Sequence, residues 1–279
     1  MPAARPILAV LVLSAPALAG CAGLSPAPEG FTYGRPDPDP AAYTFADTTE
    51  LSIRTDLGPV EVVTAYAGVT ELDFRRWSED GTVTLRFPRL RGSFRSTMLE
   101  PSVVDESDLG GPITARLAPT GRVEIADTPS LTEALRDVTS PGELVRPLFV
   151  RLPGRRVEVG DQWVDTVTTT AARGAARTEA RRVITFTLRG DTVAAGRRLV
   201  LIDTETLVTI RVAGESGGVA LEQQLTGTTA GRVLWDDVAR LLVERWTEGE
   251  LTGTLTLPDL DVAPMPIEAR VRSAVALRE

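Results

Sequence analysis

Few side chains in this sequence could carry chemistry, and their pattern is informative mainly for what it excludes. The chain of 279 residues has no histidine, no lysine and no asparagine, and a single cysteine, Cys21, so all 30 basic residues are arginine. A Ser/His/Asp relay, a Cys/His pair, a histidine-ligated metal and a Schiff-base lysine are therefore out of reach. What remains is carboxylate and guanidinium chemistry. Asp165-Thr166, Asp191-Thr192 and Asp203-Thr204 could begin a paired-aspartate hydrolytic turn, but none continues into glycine. That chemistry needs two such turns sharing a proton. Glu79-Asp80, Asp236-Asp237, and Asp259 with Asp261 could offer oxygens to calcium, yet none has the spacing of an oxygen-rich calcium loop, and turn formation is the expected role. Arginines pair at Arg75-Arg76, Arg155-Arg156, Arg181-Arg182 and Arg197-Arg198, with Arg89, Arg91 and Arg95 close together. Adjacent strand residues point to opposite faces, so each pair places one guanidinium on each side of a sheet or sits at a strand end. Solvation and ion pairing with the 38 acids is the expected use, with phosphate or carboxylate recognition at a sheet mouth as the rarer one. This inventory predicts no catalytic residue, no metal and no cofactor.

Cys21 has a more specific context. Arg5 and the amino terminus form a short positive region, and residues 7–13 with Ala15 and Ala17 form an apolar segment too short to span a bilayer, which takes about 20 apolar residues. The segment runs into Leu18-Ala19-Gly20-Cys21, which resembles the lipobox of bacterial lipoproteins: an apolar residue, two small residues, then cysteine. The resemblance implies cleavage between Gly20 and Cys21, a diacylglycerol on the sulfur, and acylation of the new amino terminus by a palmitate-like chain. Each buried CH₂ contributes about 0.8 kcal/mol, so two or three acyl chains make the anchor essentially permanent. Ala22, where an aspartate would suggest inner-membrane retention, resembles an outer-membrane sorting signal. The expected location is thus a membrane outside the cytoplasm, the outer membrane facing the periplasm. A cysteine committed to lipid leaves no disulfide, so the exported domain must hold by packing alone. The net charge of −8 argues against binding nucleic acid or an anionic membrane through bulk charge.

The elements that would position these residues are mostly strands. Residues 1–20 read as the signal peptide, 21–40 as the lipidated amino terminus and a Pro/Gly-rich tether, and 41–279 as a β-rich domain. That domain reads either as one unit or as two related halves joined near residues 128–152. Val83, Leu85 and Phe87 alternate with Thr82, Thr84 and Arg86; Ile184, Phe186 and Leu188 alternate with Thr185 and Thr187; Val208, Ile210 and Val212 alternate with Thr209 and Arg211. Similar alternation recurs near Leu251 and Ile267, and turn signals such as Glu79-Asp80-Gly81, Pro119-Thr120-Gly121 and Arg189-Gly190-Asp191 separate the runs. The pattern predicts an all-β fold, or β with one or two short helices, made of long antiparallel strands in a curved half-barrel or two related sheets. One helix is expected over residues 128–139, capped by Ser130 or Thr128, with Leu131, Leu135 and Val138 on one side. Residues 235–246 fit either a helix or a hairpin; their β neighbours favour the hairpin.

One segment carries a second resemblance. Leu152-Pro153, then Val157-Glu158-Val159-Gly160-Asp161-Gln162-Trp163, resembles a segment of uncharacterised β-rich bacterial envelope lipoproteins in which it precedes long antiparallel strands. That resemblance implies no catalytic residue. From the residues alone, Gly160-Asp161 can form a turn, and Trp163 can bury its ring against the sheet with its N–H satisfied at the edge. The functional expectation is a membrane-anchored, non-enzymatic binding module for a lipid-like ligand or an envelope protein. The alternative is a structural or assembly lipoprotein that contacts other envelope proteins through a bare sheet edge. An apolar cavity of about 300 Å³ or more would favour the ligand; a filled core with a bare sheet edge or an apolar surface patch would favour assembly.

Overall fold

The computed structural model describes residues 31–37, 39–75, 81–173, 175–194, 196–216 and 218–278. The leader with Gly20 and Cys21, Arg76 and Glu79-Asp80 lie outside them. Twelve strands form one antiparallel sheet: β1 (Ala41–Thr55), β2 (Gly58–Asp73), β3 (Thr82–Ser96), β4 (Ser102–Asp105), β5 (Ile113–Leu117), β6 (Val123–Asp127), β7 (Gln162–Arg173), β8 (Ala176–Ala194), β9 (Arg197–Ser216), β10 (Val219–Asp236), β11 (Leu241–Thr256) and β12 (Met265–Leu277). Their order is β6-β5-β3-β2-β1-β12-β11-β10-β9-β8-β7, with β4 paired to β3. The first and last strands meet in the middle, Phe45 opposite Val275 and Leu51 opposite Ala269, so two meanders fuse into a continuous sheet. The sheet is not closed, because β6 and β7 form its two edges.

Period two decides which side chains face inward. Tyr43, Phe45, Leu90, Ile202, Val233 and Val275 all lie on the inner face and are buried. The outer face carries Glu50, Glu248, Glu250, Arg270 and Arg272. Gly227, Gly249 and Gly253 occupy inner positions of β10 and β11, where a Cβ would collide with the carbonyls of Glu250, Thr228 and Gln224 across the ladder. Removing the side chain there lets the sheet coil sharply. Two apolar clusters fill the inside. A large one spans most strands, and a smaller one joins Val208, Leu225, Leu251, Ile267 and Ala269 toward the far end.

The connection between β6 and β7 must travel from one edge of the sheet to the other, and it does so across the inner face. It contains α1 (Glu133–Val138), α2 (Pro141–Val145) and a 3-10 turn over Arg146–Leu148. Leu144, Val145, Leu148, Phe149, Val150 and Leu152 are all buried. The region near residues 128–152, expected as the join if the domain were two halves, is therefore the plug of the rolled sheet. Pro141 starts α2, where its missing N–H costs nothing, and Ser140 Oγ accepts the Glu143 N–H. The expected helix is shorter than its pattern. Neither Thr128 nor Ser130 caps it; Thr132 does, accepting from the Leu135 N–H at 3.2 Å. Leu131 bridges to Leu109, and the Ser130 carbonyl accepts the Gly110 N–H, which holds 130–131 extended.

The tether expectation is corrected for residues 31–37. Phe31 and Tyr33 are core residues, 3% and 5% exposed. Tyr33 sets its ring edge-on to Trp235, 4.7 Å between centroids, and its hydroxyl accepts the Val150 N–H at 2.8 Å. The Asp37 N–H reaches the Ala239 carbonyl, at the turn of the β10–β11 hairpin. The structured unit therefore includes residue 31, and its aromatic side chains outweigh the Pro/Gly content around them. Residues 235–246 do form the favoured hairpin, with Asp236 accepting the N–H groups of Val238 and Ala239.

Candidate functional site

The inner face is not uniformly apolar. Asp47 of β1 continues the phase of Tyr43 and Phe45, and so points an acid inward. Burial, with Glu143 of α2 adding repulsion, pushes its carboxyl up to about 6; the Ser273 hydroxyl and the guanidinium groups of Arg182 and Arg245 pull the other way. Arg182 of β8 stands 3.6 Å from Glu143, and Arg245 of β11 directs a guanidinium N–H at the Pro147 carbonyl at 3.5 Å. Burial holds Arg245 below the ordinary arginine value and raises the Tyr66 phenol well above its own. Two acids and two guanidinium groups thus balance beneath α2 and seat the crossover on the sheet. The cavity among Phe45, Asp47, Tyr66, Glu143, Leu148 and Val275 is about 10 Å³, room for no more than about one water. The cluster ties the crossover to the sheet.

A shallow depression of about 250 Å³ lies on the outer face, floored by Ala46 and Ala274 and walled by Trp246, Glu248 and Arg272. It is open to solvent, and Trp246 is 38% exposed.

The residues singled out from sequence do not converge. Asp165 faces inward and lies 3.8 Å from Arg151, whereas Asp203 faces outward between Arg189 at 2.8 Å and Arg232 at 3.3 Å. Asp191 pairs with Arg198. Asp236 closes its hairpin and sits 3.8 Å from Arg197, and Asp259 accepts the Ala220 N–H, so both are turn acids. Asp261 is exposed. Among the described residues no group of three or more metal-ligating side chains comes together. Arg181 faces out and Arg182 in, as strand alternation requires. Arg155 lies 3.7 Å from Asp161 and Arg75 pairs with Asp73, while Arg89, Arg91 and Arg95 line the outer face of β3. Trp163 is half-buried, stacked on Phe186 with its N–H bonded to the Arg151 carbonyl, and Gly160 adopts φ +97° in the turn before β7. The inward charges Asp47, Glu143 and Arg245 were not anticipated. Their one signal was a charged residue in phase with a dry face, as in Tyr43-x-Phe45-x-Asp47.

Comparison with known proteins adds little. No family model matches the chain, and no curated protein matches it. Among solved structures, one described as the crystal structure of Neisserial surface protein A (NspA) aligns with 84% of this chain and 96% of its own, at 8% identity and a TM-score of 0.26. Similarity at that level carries no argument about fold or function.

Proposed function

We propose that this chain is a lipid-anchored protein of the bacterial envelope that serves as a non-enzymatic docking module for a protein partner. The observation that carries this reading is the crossover packed inside the roll. The crossover occupies the inner face at one end of the roll and leaves about 10 Å³ beside it, where a lipid-binding half-barrel would keep a pocket of about 300 Å³ or more. The outer face supports a water-exposed setting. Glu50, Glu248, Glu250, Arg270 and Arg272 stand on central strands, with Arg270 and Glu250 paired at 2.8 Å. A barrel wall facing lipid instead carries an apolar band about 25 Å tall. Among the described residues no helix is long and apolar enough to cross a membrane. The lipobox at Cys21 supplies the attachment in this reading, and Ala22 favours the outer membrane facing the periplasm.

Native mass spectrometry of the detergent-extracted chain tests it. The expected mass is that of the polypeptide with covalent acyl groups alone. A lipid released intact by mild collisional activation would instead show a cargo site and overturn the docking reading.

A further inference from the structure

Three neighbouring loops at the far end of the sheet hold out apolar side chains that the core does not use. The order β3-β2-β1-β12-β11 makes the loops at residues 97–101, 56–57 and 257–264 consecutive along one rim. Five strands at about 4.8 Å spacing span roughly 20 Å. Leu57 is 101% exposed, Met98 74%, Leu99 63%, Leu260 46% and Val262 48%. These loops are held in place. Thr55 Oγ1 accepts the Leu57 N–H at 3.2 Å and donates to the Gly58 carbonyl at 2.6 Å. The Thr97 N–H reaches the Glu61 carbonyl at 3.0 Å, and Thr97 Oγ1 accepts the Glu61 N–H in return. The Leu260 N–H bonds the Leu257 carbonyl at 3.0 Å, and the Val262 N–H bonds the Leu260 carbonyl at 2.8 Å. Apolar groups presented on fixed loops lose little freedom on binding.

The charges around them select the partner. Asp56 precedes Leu57, Glu100 follows Leu99, Asp259 and Asp261 flank Leu260, and the three loops contain no basic residue. An acidic rim is repelled by anionic lipid headgroups and attracted to cationic surfaces. The rim also lies opposite the end at which the described chain enters the fold. Residues 31–37 seat at the opposite end, and the 16 residues of β11 between the two ends extend roughly 50 Å.

Resting on the docking reading above, we infer that this rim is the docking surface for a protein partner presenting a cationic, apolar surface. The test uses the full chain held in phosphatidylcholine nanodiscs and a short fluorescent amphipathic peptide of leucine and lysine. The expected result is binding that weakens with added salt, absent for the matching leucine and glutamate peptide. The combined variant Leu57→Ser, Leu99→Ser, Leu260→Ser should bind at least roughly tenfold more weakly, with an unchanged circular dichroism spectrum because all three side chains are exposed. The variant Asp56→Asn, Glu100→Gln, Asp261→Asn should lose the salt dependence. Equal binding of the glutamate peptide, full affinity in the serine variant, or capture of phosphatidylcholine and phosphatidylglycerol vesicles through the same residues would overturn the inference. A bound lipid in the mass spectrum sinks the docking reading as a whole, whereas peptide failure with no lipid bound sinks the rim alone.

Discussion

The indole N–H of Trp163 donates to the carbonyl of Arg151 at 2.8 Å, and through Arg151 the two free edges of the sheet are held together. The Arg151 guanidinium donates to Thr120 Oγ1 at 2.6 Å, on the turn between β5 and β6, while its Nε lies 3.8 Å from Asp165 on β7. The Leu152 N–H adds a bond to the Thr120 carbonyl at 2.9 Å. The chain between the edges replaces the ladder that a closed barrel would have. Gly121, at φ +81°, is needed there because a Cβ would strike the Val150 carbonyl.

Trp163→Ala should therefore cost about 3 kcal/mol, from lost half-burial, the stacking on Phe186 at 5.4 Å and the edge bond. Trp163→Phe keeps the ring contact and loses the bond, so about 1 kcal/mol is expected. Urea denaturation of the two variants beside the parent checks the order; equal midpoints for alanine and parent would remove Trp163 from the latch.

Phe31 and Tyr33 make a prediction about where the folded unit starts. A chain begun at residue 41 loses both side chains, a cost of about 3–6 kcal/mol against the roughly 5–15 kcal/mol typical of a domain. It should unfold at a much lower temperature than a chain begun at residue 31. Tyr33→Phe isolates one part of this, leaving the buried Val150 N–H without its acceptor, for about 1–3 kcal/mol. Matching melting curves for the two truncations would contradict the core assignment.

Asp47 sets a pH dependence of definite sign. Its folded carboxyl titrates near 6, above the value of 3.8 expected when unfolded. The folded state therefore holds the proton more tightly, and Asp47 contributes stability that is present below about 3.8 and lost as pH rises toward 6. Asp47→Asn removes this loss. The difference in stability between variant and parent should grow in favour of the variant from pH 4 to pH 6 and stay level above about 6. Urea midpoints across that range measure it, and a flat difference would show that the carboxyl titrates normally.

Cys21→Ser tests the anchor. The hydroxyl cannot accept the diacylglycerol, so the variant should accumulate uncleaved or mislocalised and should fail to incorporate radiolabelled palmitate. Continued palmitate labelling of the serine variant would rule out Cys21 as the attachment point.

The sequence by itself determined the local content of this protein. Alternation of apolar and polar residues marks strands because side chains leave a strand on alternate faces, and so the β class, the hairpin at 235–246 and the split of Arg181 from Arg182 were legible. The indole of Trp163 was expected to find an edge partner, and it does. The absence of histidine and lysine excluded whole chemistries without reference to any fold. Only the tertiary structure decided which strands meet and what fills the space between them. The pairing of β1 with β12 joins residues more than 200 positions apart, and no local period encodes it. The crossover's place inside the roll depends on Leu144, Leu148 and Leu152 meeting a sheet whose curvature comes from distant glycines. Proline and glycine around Tyr33 suggested a tether, but composition cannot register the packing of its ring against Phe149 and Trp235. The inward charges of Asp47 and Arg245 likewise became a lock only when Glu143 and Arg182, from distant elements, closed around them.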